Sequence, residues 1–479
     1  MVGLVRDAVL CARAILAIAL VSSAAAVFGV VFGSWIAIAT LFGAIVATFA
    51  AVQRPGLLLA AYLLIPFYKG AIATAAPVDI TVVLALLNLG QVIPVIRHRG
   101  SGRVSRVGLA LWAAVGILML GGTLYAPSQE LALRSAVTYW ALVVLPLLPA
   151  ALRVGSEPRH VRDFLWTCFG MGAIVIVLGL AQLSSTTRLT VLGMNTIQTA
   201  LAPILTVLIS ASFVIREGRR AIRTIAVVLI PLGLIVALAS GSRGPVLALA
   251  TLALLVAIRS VVLVRRVSRR RVAGLTSIAL ASIIIAIVVA PELPLNSLGR
   301  FASFGDTIQS SISGDPYALD ADLSSQTRVA LFGFALSMFQ DRPILGAGTA
   351  GFMAVGPSDY PHNALLQVAA EFGLTGLILF IGLLLVALTR RLPAENASRT
   401  VRLLLWLVLV EAMVSGDIFS DRMTFGLLAL VLTIPMAGSI SPQQVVRESA
   451  GRPLQPRSHW EGSGKTTDLV GASASGRSA

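Results

Sequence analysis

A histidine stands where a polar segment meets a strongly apolar one, in the run Tyr360-Pro361-His362-Asn363. The chain has only four histidines in 479 residues. Pro361 restricts the approach of the backbone, and Asn363 can cap a helix that begins at Ala364. A neutral imidazole at such a place can accept a proton from a hydroxyl group or hydrogen-bond to a phosphate, which is the chemistry we favour. The alternative is that His362 is only a polar residue at a helix entrance.

Four arginines stand among small or apolar residues: Arg188, Arg243, Arg300 and Arg328. The composition predicts a membrane protein, and we expect these arginines on the same side of the membrane as His362. Arg243 lies in the run 240–245, which is short enough to predict a tight turn between two long helices. Its planar guanidinium can bind a phosphate through two hydrogen bonds, and the neighbouring glycines let backbone amides approach the same anion. The alternative is an arginine that binds lipid headgroups.

The composition predicts a membrane protein. Hydrophobic residues make up 57% of the chain, charged residues 12%, and the mean hydropathy is +0.90. A run of about 20 apolar residues can span a bilayer as a helix. Candidate runs lie at 10–31, 34–52, 57–76, 78–96, 107–126, 135–152, 162–183, 197–215, 222–239, 244–264, 272–290, 363–389, 401–416 and 423–440. Run 57–76 is interrupted by Pro66, Lys69 and Pro77 and could be re-entrant. We therefore expect an all-α, polytopic transmembrane helix bundle of 12–14 spans with one long extracytoplasmic loop.

The net charge of +16 reflects membrane topology and does not indicate nucleic-acid binding. Arginines cluster in alternate connections between spans, and the positive-inside rule places those connections in the cytoplasm. The long segment 291–361 carries seven acidic residues against three arginines, so it is predicted to lie outside. We divide the chain into N-terminal transmembrane helices (1–290), an extracytoplasmic loop that carries site residues (291–362), C-terminal transmembrane helices (363–440) and a disordered cytoplasmic tail (441–479).

Two weaker patterns do not predict a metal or nucleotide site. Asp320 and Asp322 are spaced like an acidic metal-binding pair, but no further ligand stands near them in the sequence. Gly464-Lys465-Thr466 imitates the end of a phosphate-binding loop, yet His459 occupies the position where that pattern needs its first glycine. We expect no metal, no cofactor and no nucleic-acid partner.

Several runs together resemble the O-antigen ligase and O-antigen polymerase family of bacterial envelope proteins. They comprise Arg328, the D-x-P-x-x-G-x-G run from Asp341 to Gly348, Pro361-His362-Asn363, and Glu371-Phe372-Gly373-Leu374-Thr375-Gly376. Upstream, Ser242-Arg243-Gly244 and the segment 188–195 look like other outward-facing motifs of that family. The resemblance is strongest over 240–380. The two most specific runs are weak alone and fairly specific together.

The resemblance implies an inverting, metal-independent glycosyltransferase of the bacterial cytoplasmic membrane that works on its outer face. Its donor would be a glycan on a polyprenyl diphosphate, and its acceptor a lipid or another glycan. We predict His362, Arg243 and Arg188 as catalytic residues, and Arg328, Arg300 and Asn363 as substrate-binding residues. Glu371 is expected to be a structural tether. A transporter or flippase is the alternative function, supported by Arg13 and Glu411 within predicted spans, and a non-catalytic membrane scaffold is a third possibility.

Overall fold

The computed structural model describes residues 53–68, 79–97, 104–183, 189–216, 219–263, 323–393, 395–419 and 421–436. Within these ranges the chain is helical and contains no strand. The α-helices are α1 (Pro55–Leu64), α2 (Ile80–Leu89), α3 (Val92–Arg97), α4 (Arg106–Gly121), α5 (Gln129–Tyr139), α6 (Leu145–Gly155), α7 (Pro158–Ala181), α8 (Thr196–Arg216), α9 (Arg220–Ala239), α10 (Arg243–Leu263), α11 (Leu323–Asp341), α12 (Gly351–Val355), α13 (Ala364–Thr389), α14 (Asn396–Ser415) and α15 (Arg422–Thr433). A π-helical segment, Trp140–Val144, joins α5 and α6 into one continuous rod.

This architecture confirms the predicted all-α, polytopic membrane bundle. Helices occupy eleven of the fourteen candidate runs, while 10–31, 34–52 and 272–290 lie outside the described residues, as does the tail 441–479. Six described helical segments are long and apolar enough to cross a membrane: 106–124, 129–155, 158–181, 196–215, 220–239 and 364–389. Helix α14 is not among them, because it carries Arg399, Arg402 and Glu411. The four-part division of the chain stays a prediction.

The segment expected to be a long loop contains two helices, α11 and α12. Helix α11 buries one face against its neighbours, although apolar residues such as Val329 and Leu336 also stand on its exposed side. Leu331, Ala335 and Met338 pack in a small core with Phe352 of α12 and Ala370 of α13. This helix was not predicted from the sequence, because its formation depends on burial against α12 and α13. The C-terminal part of the segment is therefore anchored to α13.

Polar residues define where the helices begin, by accepting hydrogen bonds from amides of the first turn. Ser105 Oγ accepts from Gly108 N (3.1 Å) at α4, and Asn363 Oδ1 accepts from Leu366 N (3.0 Å) at α13. Asp421 Oδ1 does the same for α15 through the Thr424 amide, at 2.9 Å. The predicted capping role of Asn363 is thereby confirmed.

The helices approach closely where small residues face each other, as expected when apolar packing cannot rely on excluding water. A Cβ at Gly172 of α7 would come within 1.7 Å of Thr206 Oγ1 on α8, and one at Gly179 within 2.6 Å of Val236 on α9. Large apolar side chains such as Ile117, Val177 and Leu385 are exposed. They provide a surface that acyl chains can cover.

Helix ends gather at two poles of the bundle. At one pole, Thr349 N donates to Gly122 O (3.2 Å), next to the end of α4, and the amide of Asn363 reaches Met413 in the last turn of α14. At the other pole, Ser105 N donates to Leu432 O (3.2 Å) and Thr433 Oγ1 to Ala151 O (2.8 Å). We call the first the site pole and the second the basic pole.

The basic pole carries the arginine-rich connections. Arg402 Nη1 donates to the carbonyl oxygen of Arg390 at 3.2 Å, and Arg153 and Arg106 lie at the ends of α6 and α4 there. Ser212 of α8 and Thr400 of α14, each near a basic helix end, lie 2.6 Å apart through their hydroxyl oxygens. This grouping has the pattern that the positive-inside prediction requires. Which pole faces the cytoplasm stays a prediction.

Candidate active site

The glycine-rich run before the site packs into a kink of α13. At Gly373 the backbone leaves the helical region (φ 60°, ψ −154°), which breaks the helical hydrogen bonds on either side. The loop supplies the missing partners: Ala347 N and Gly348 N donate to the carbonyls of residues 370 and 371, at 2.9 and 2.8 Å. In return, the amides of residues 374 and 375 donate to the carbonyls of Pro343 and Ile344, at 2.7 and 3.2 Å. Every backbone group released by the kink at these four positions is therefore satisfied.

The glycines of that run are needed because the two backbones almost touch. Gly346 has φ +69°, and a Cβ there would lie 2.4 Å from the carbonyl carbon of Glu371. Gly348 has φ +90°, and its Cβ would lie 2.6 Å from Gly122 O at the end of α4. The D-x-P-x-x-G-x-G run thus locks the loop between α4 and α13, and this fixes the start of the segment that leads to His362.

Glu371 ties the same loop to α13 from inside. Its side chain is fully buried, and Oε2 accepts a hydrogen bond from Ala350 N at 3.1 Å. Ala350 has φ +55° and immediately precedes α12. Thr349 adds a second anchor, because its hydroxyl donates to Met119 O in α4. The structure therefore agrees with the predicted tether role of Glu371.

His362 is held in an unusual backbone conformation at the site pole. Its φ is +57°, a region that non-glycine residues seldom adopt and that often marks functional positions. The imidazole ring packs edge-on against the Tyr360 ring, with 4.4 Å between centroids. Nδ1 is buried and has no hydrogen-bond partner among the residues that the structure describes. One ring nitrogen is thus enclosed with its hydrogen-bonding capacity unused by the described part of the chain.

Burial and the charge of Arg328 favour the neutral imidazole of His362. Burial lowers the pKa of His362 below its ordinary value, and the positive charge of Arg328 lowers it further, while Asp417 opposes both by raising it. Arg328 lies on α11 with its side chain half-buried, and its charge also acts on Tyr360 and on Glu411 of α14. A neutral imidazole near a guanidinium charge can accept a proton close to a bound anion.

The start of α13 is hydrogen-bonded to the last turn of α14 and to the turn that follows it. Asn363 Nδ2 donates to Met413 O at 2.8 Å, so both ends of its amide group are engaged. Gln367 is buried, and its Nε2 donates to Asp417 Oδ1 at 3.1 Å, while its Oε1 accepts from Ile418 N at 2.9 Å. The residue next to His362 is therefore fixed by side-chain bonds to a second helix end.

Arg243 begins α10, directly after the tight turn that the sequence predicted. Ser242 N donates to Ser240 Oγ at 3.2 Å, and Gly241 has φ +67°. A Cβ at Gly244 would lie 2.9 Å from Ser415 Oγ, so this turn packs against the end of α14. Arg243 is half-buried and begins α10 at the site pole. The turn before it packs against the end of α14, which also binds Asn363.

The structure gathers Arg243, Arg328, His362 and Asn363 around the end of α14. Arg188 and Arg300 lie outside the described residues, but the chain next to Arg188 can be followed. Leu189 N donates to Ala239 O at 3.4 Å, which fixes that loop beside the turn before Arg243. The assignment of these six residues to catalysis or binding stays a prediction.

Gln367 and Asp417 belong to the same cluster and were missed by the sequence reading. The only hint to Asp417 in the sequence is its place in the short polar segment between two apolar runs, 401–416 and 423–440. No group of three or more His, Cys, Asp or Glu side chains that could hold a metal occurs within the described ranges. Asp320 and Asp322, the weak metal candidate, lie outside those ranges.

The helical bundle with a polar site at one pole is that of a multi-pass membrane protein. Residues 225–381 match the family model described as O-Antigen ligase. This match spans about a third of the chain and includes Arg243, Arg300, Arg328, His362 and Asn363. No curated protein and no solved structure matches the chain. Residues 225–381 thus carry the domain of the O-antigen ligase family, which confirms the resemblance found in the motifs of this segment.

The matched segment supports membrane glycosyl transfer of the O-antigen ligase or polymerase type as the general activity of an enzyme, and the family implies lipid-linked glycans as substrates. This favours the enzyme over the transporter and scaffold alternatives. Glu411, which had supported a transporter, interacts with Arg328 near the site. Arg13, the other such residue, lies outside the described residues.

Proposed function

We propose that the protein transfers a glycan from a polyprenyl diphosphate to an acceptor hydroxyl, with inversion at the anomeric carbon and without a metal ion. The reaction takes place at the site pole, on the outer face of the bacterial cytoplasmic membrane. The acceptor is a lipid or a second lipid-linked glycan. Arg243, Arg188, Arg300 and Arg328 bind the diphosphate, and His362 accepts the proton.

One observation carries this proposal: His362 is held at φ +57° with Nδ1 enclosed and not hydrogen-bonded to any described residue, and Arg328 is one of the charges that act on its imidazole. That combination brings a proton acceptor and an anion-binding group to one place. The hydrogen bond from Asn363 to Met413 fixes the chain after His362, and those between the loop 343–348 and the α13 kink fix the chain before it. Preorganised charges of this kind stabilise a developing anion without rearranging during the reaction.

The chemistry needs one bond to form and one to break. The acceptor oxygen attacks the anomeric carbon from the face opposite the diphosphate, and the bond from that carbon to the diphosphate oxygen breaks, leaving its electron pair on the diphosphate. The hydroxyl proton passes to the His362 imidazole. Negative charge grows on the leaving group, where the guanidinium groups lie, so their attraction is greatest in the transition state.

Purified full-length protein in lipid nanodiscs, supplied with a polyprenyl-diphosphate-linked glycan and an acceptor, tests this function. We expect transfer that continues in the presence of a metal chelator and gives a product with the opposite anomeric configuration, read by NMR. Retention of configuration would contradict direct displacement. Activity that is lost with chelator and restored by a divalent cation would instead point to Asp320 and Asp322.

A further inference from the structure

Asp417 lies in the turn between α14 and α15, outside the part of the chain that matches the family model. Its Oδ1 accepts hydrogen bonds from Gln367 Nε2 and from Phe419 N, both at 3.1 Å. The Gln367 amide also accepts from Ile418 N at 2.9 Å, so both of its ends are bound to this turn. The carboxylate is therefore fixed relative to the first turn of α13.

The same first turn fixes the residue beside the histidine. Gln367 N donates to Asn363 O at 2.9 Å, and the Asn363 side chain binds both Leu366 N and Met413 O. His362 directly precedes Asn363. We call the hydrogen bonds that Asn363 and Gln367 form with Met413, Asp417 and Ile418 the junction between α13 and α14. His362 lies next to Asn363 and Asp417 is bound to Gln367, so the junction limits how far His362 and Asp417 can move apart.

We propose that Asp417, held by Gln367, is a positioning residue that stabilises the protonated imidazole formed when His362 takes the acceptor's proton. This inference rests on the proposed function. A neutral side chain of the same shape at residue 417 could make the same hydrogen bonds. It could not balance the positive charge of the protonated imidazole, so the carboxylate has an electrostatic role besides its role in packing.

The charged groups around the imidazole come from two elements. The charges of Arg328 on α11 and of Asp417 in the turn after α14 act on it, while Tyr360 contacts the ring. Burial and Arg328 lower the pKa of His362, and Asp417 raises it. A general base works best when its pKa is close to the working pH. Arg328 is proposed to bind the anion, and the Asp417 carboxylate offsets its effect on the neighbouring imidazole.

The proposal is tested by measuring the pKa of His362 directly. The full-length protein carries four histidines, so ¹³C-histidine labelling in detergent micelles gives few resonances, and His362→Gln assigns the one of interest. In Asp417→Asn, which keeps the acceptor oxygen for Gln367 and Phe419, we expect the pKa of His362 to fall by at least about 0.5 unit. Asp417→Glu, which keeps the charge, should restore most of the shift.

Asp359→Asn is the matched control, because this carboxylate lies three residues from His362 but is not one of the charges that shift its pKa. An unchanged pKa in Asp417→Asn, or an equal fall in Asp359→Asn, would overturn the proposal. In the transfer assay, the acid limb of the kcat/KM profile should move to lower pH in Asp417→Asn and its plateau should fall. Wild-type protein that transfers no glycan would count against the proposed function, whereas the NMR titration would still decide on Asp417.

Discussion

Replacing Gly346 with alanine tests whether the glycine-rich run locks the loop onto the kink of α13. The backbone at Gly346 has φ +69°, where alanine costs about 1–2 kcal/mol. The new Cβ would lie 2.4 and 2.5 Å from the carbonyl carbon and oxygen of Glu371 and 2.5 Å from Phe372 N. These are backbone atoms that cannot turn aside, so overpacking adds about 1–3 kcal/mol.

A small gain offsets part of this penalty, because alanine restricts the unfolded chain by about 0.4–1 kcal/mol more than glycine does. The net loss for Gly346→Ala is therefore about 1–4.5 kcal/mol. For a helical bundle of this size such a loss lowers the melting temperature by a few degrees. Fluorescence-detected size-exclusion chromatography of heated, detergent-solubilised protein measures this shift.

Gly333→Ala on α11 is the matched control. A Cβ at Gly333 meets nothing within 4 Å, and alanine is the better helix former by about 1 kcal/mol. We expect an unchanged or slightly higher melting temperature there. If Gly346→Ala were as stable as the wild type and as Gly333→Ala, the close backbone contact between the loop and α13 would be wrong.

Three further predictions concern the site and its orientation. Arg243→Lys should raise the KM for the donor about 10–100-fold, because an ammonium group cannot form the paired hydrogen bonds. The control Arg219→Lys, at the exposed start of α9, should leave this KM unchanged. Equal donor KM values in the two variants would contradict phosphate binding by Arg243. Asn363→Ala should lose about 2 kcal/mol through the helix cap and the bond to Met413, seen as a lower melting temperature that Asn363→Asp partly restores; a melting temperature like that of the wild type would refute the junction. A reporter fused near residue 315 should read as extracytoplasmic and one near residue 269 as cytoplasmic, and the reverse pattern would reject the proposed outer-face site.

The helices were predictable from the sequence where long apolar runs stand alone, as in α7, α9 and α13. The turn before Arg243 and the cap at Asn363 were also predictable, because both depend on residues adjacent in the chain. Helix α11 was missed, since it depends on burial against α12 and α13, which local hydropathy does not report. Its apolar face becomes intelligible only once Phe352 and Ala370 are seen beside it.

The site divides in the same way. His362 stood out by its rarity and its neighbours, and Arg243 by its turn. Asp417 and Gln367 could not be connected from the sequence, because they are 50 residues apart and only the packing of α13 against α14 brings them within 3.1 Å. The function of the paired glycines was likewise hidden, since it is set by a break in another helix at Gly373.

The most direct test of the central claim compares wild type with His362→Ala in the purified transfer reaction, at saturating donor and with donor binding measured separately. We predict that turnover falls about 10²–10⁴-fold in the variant, while the affinity for the donor and the melting temperature stay close to those of the wild type. Turnover in His362→Ala equal to that of the wild type would contradict the account and leave His362 as no more than a polar residue at a helix entrance.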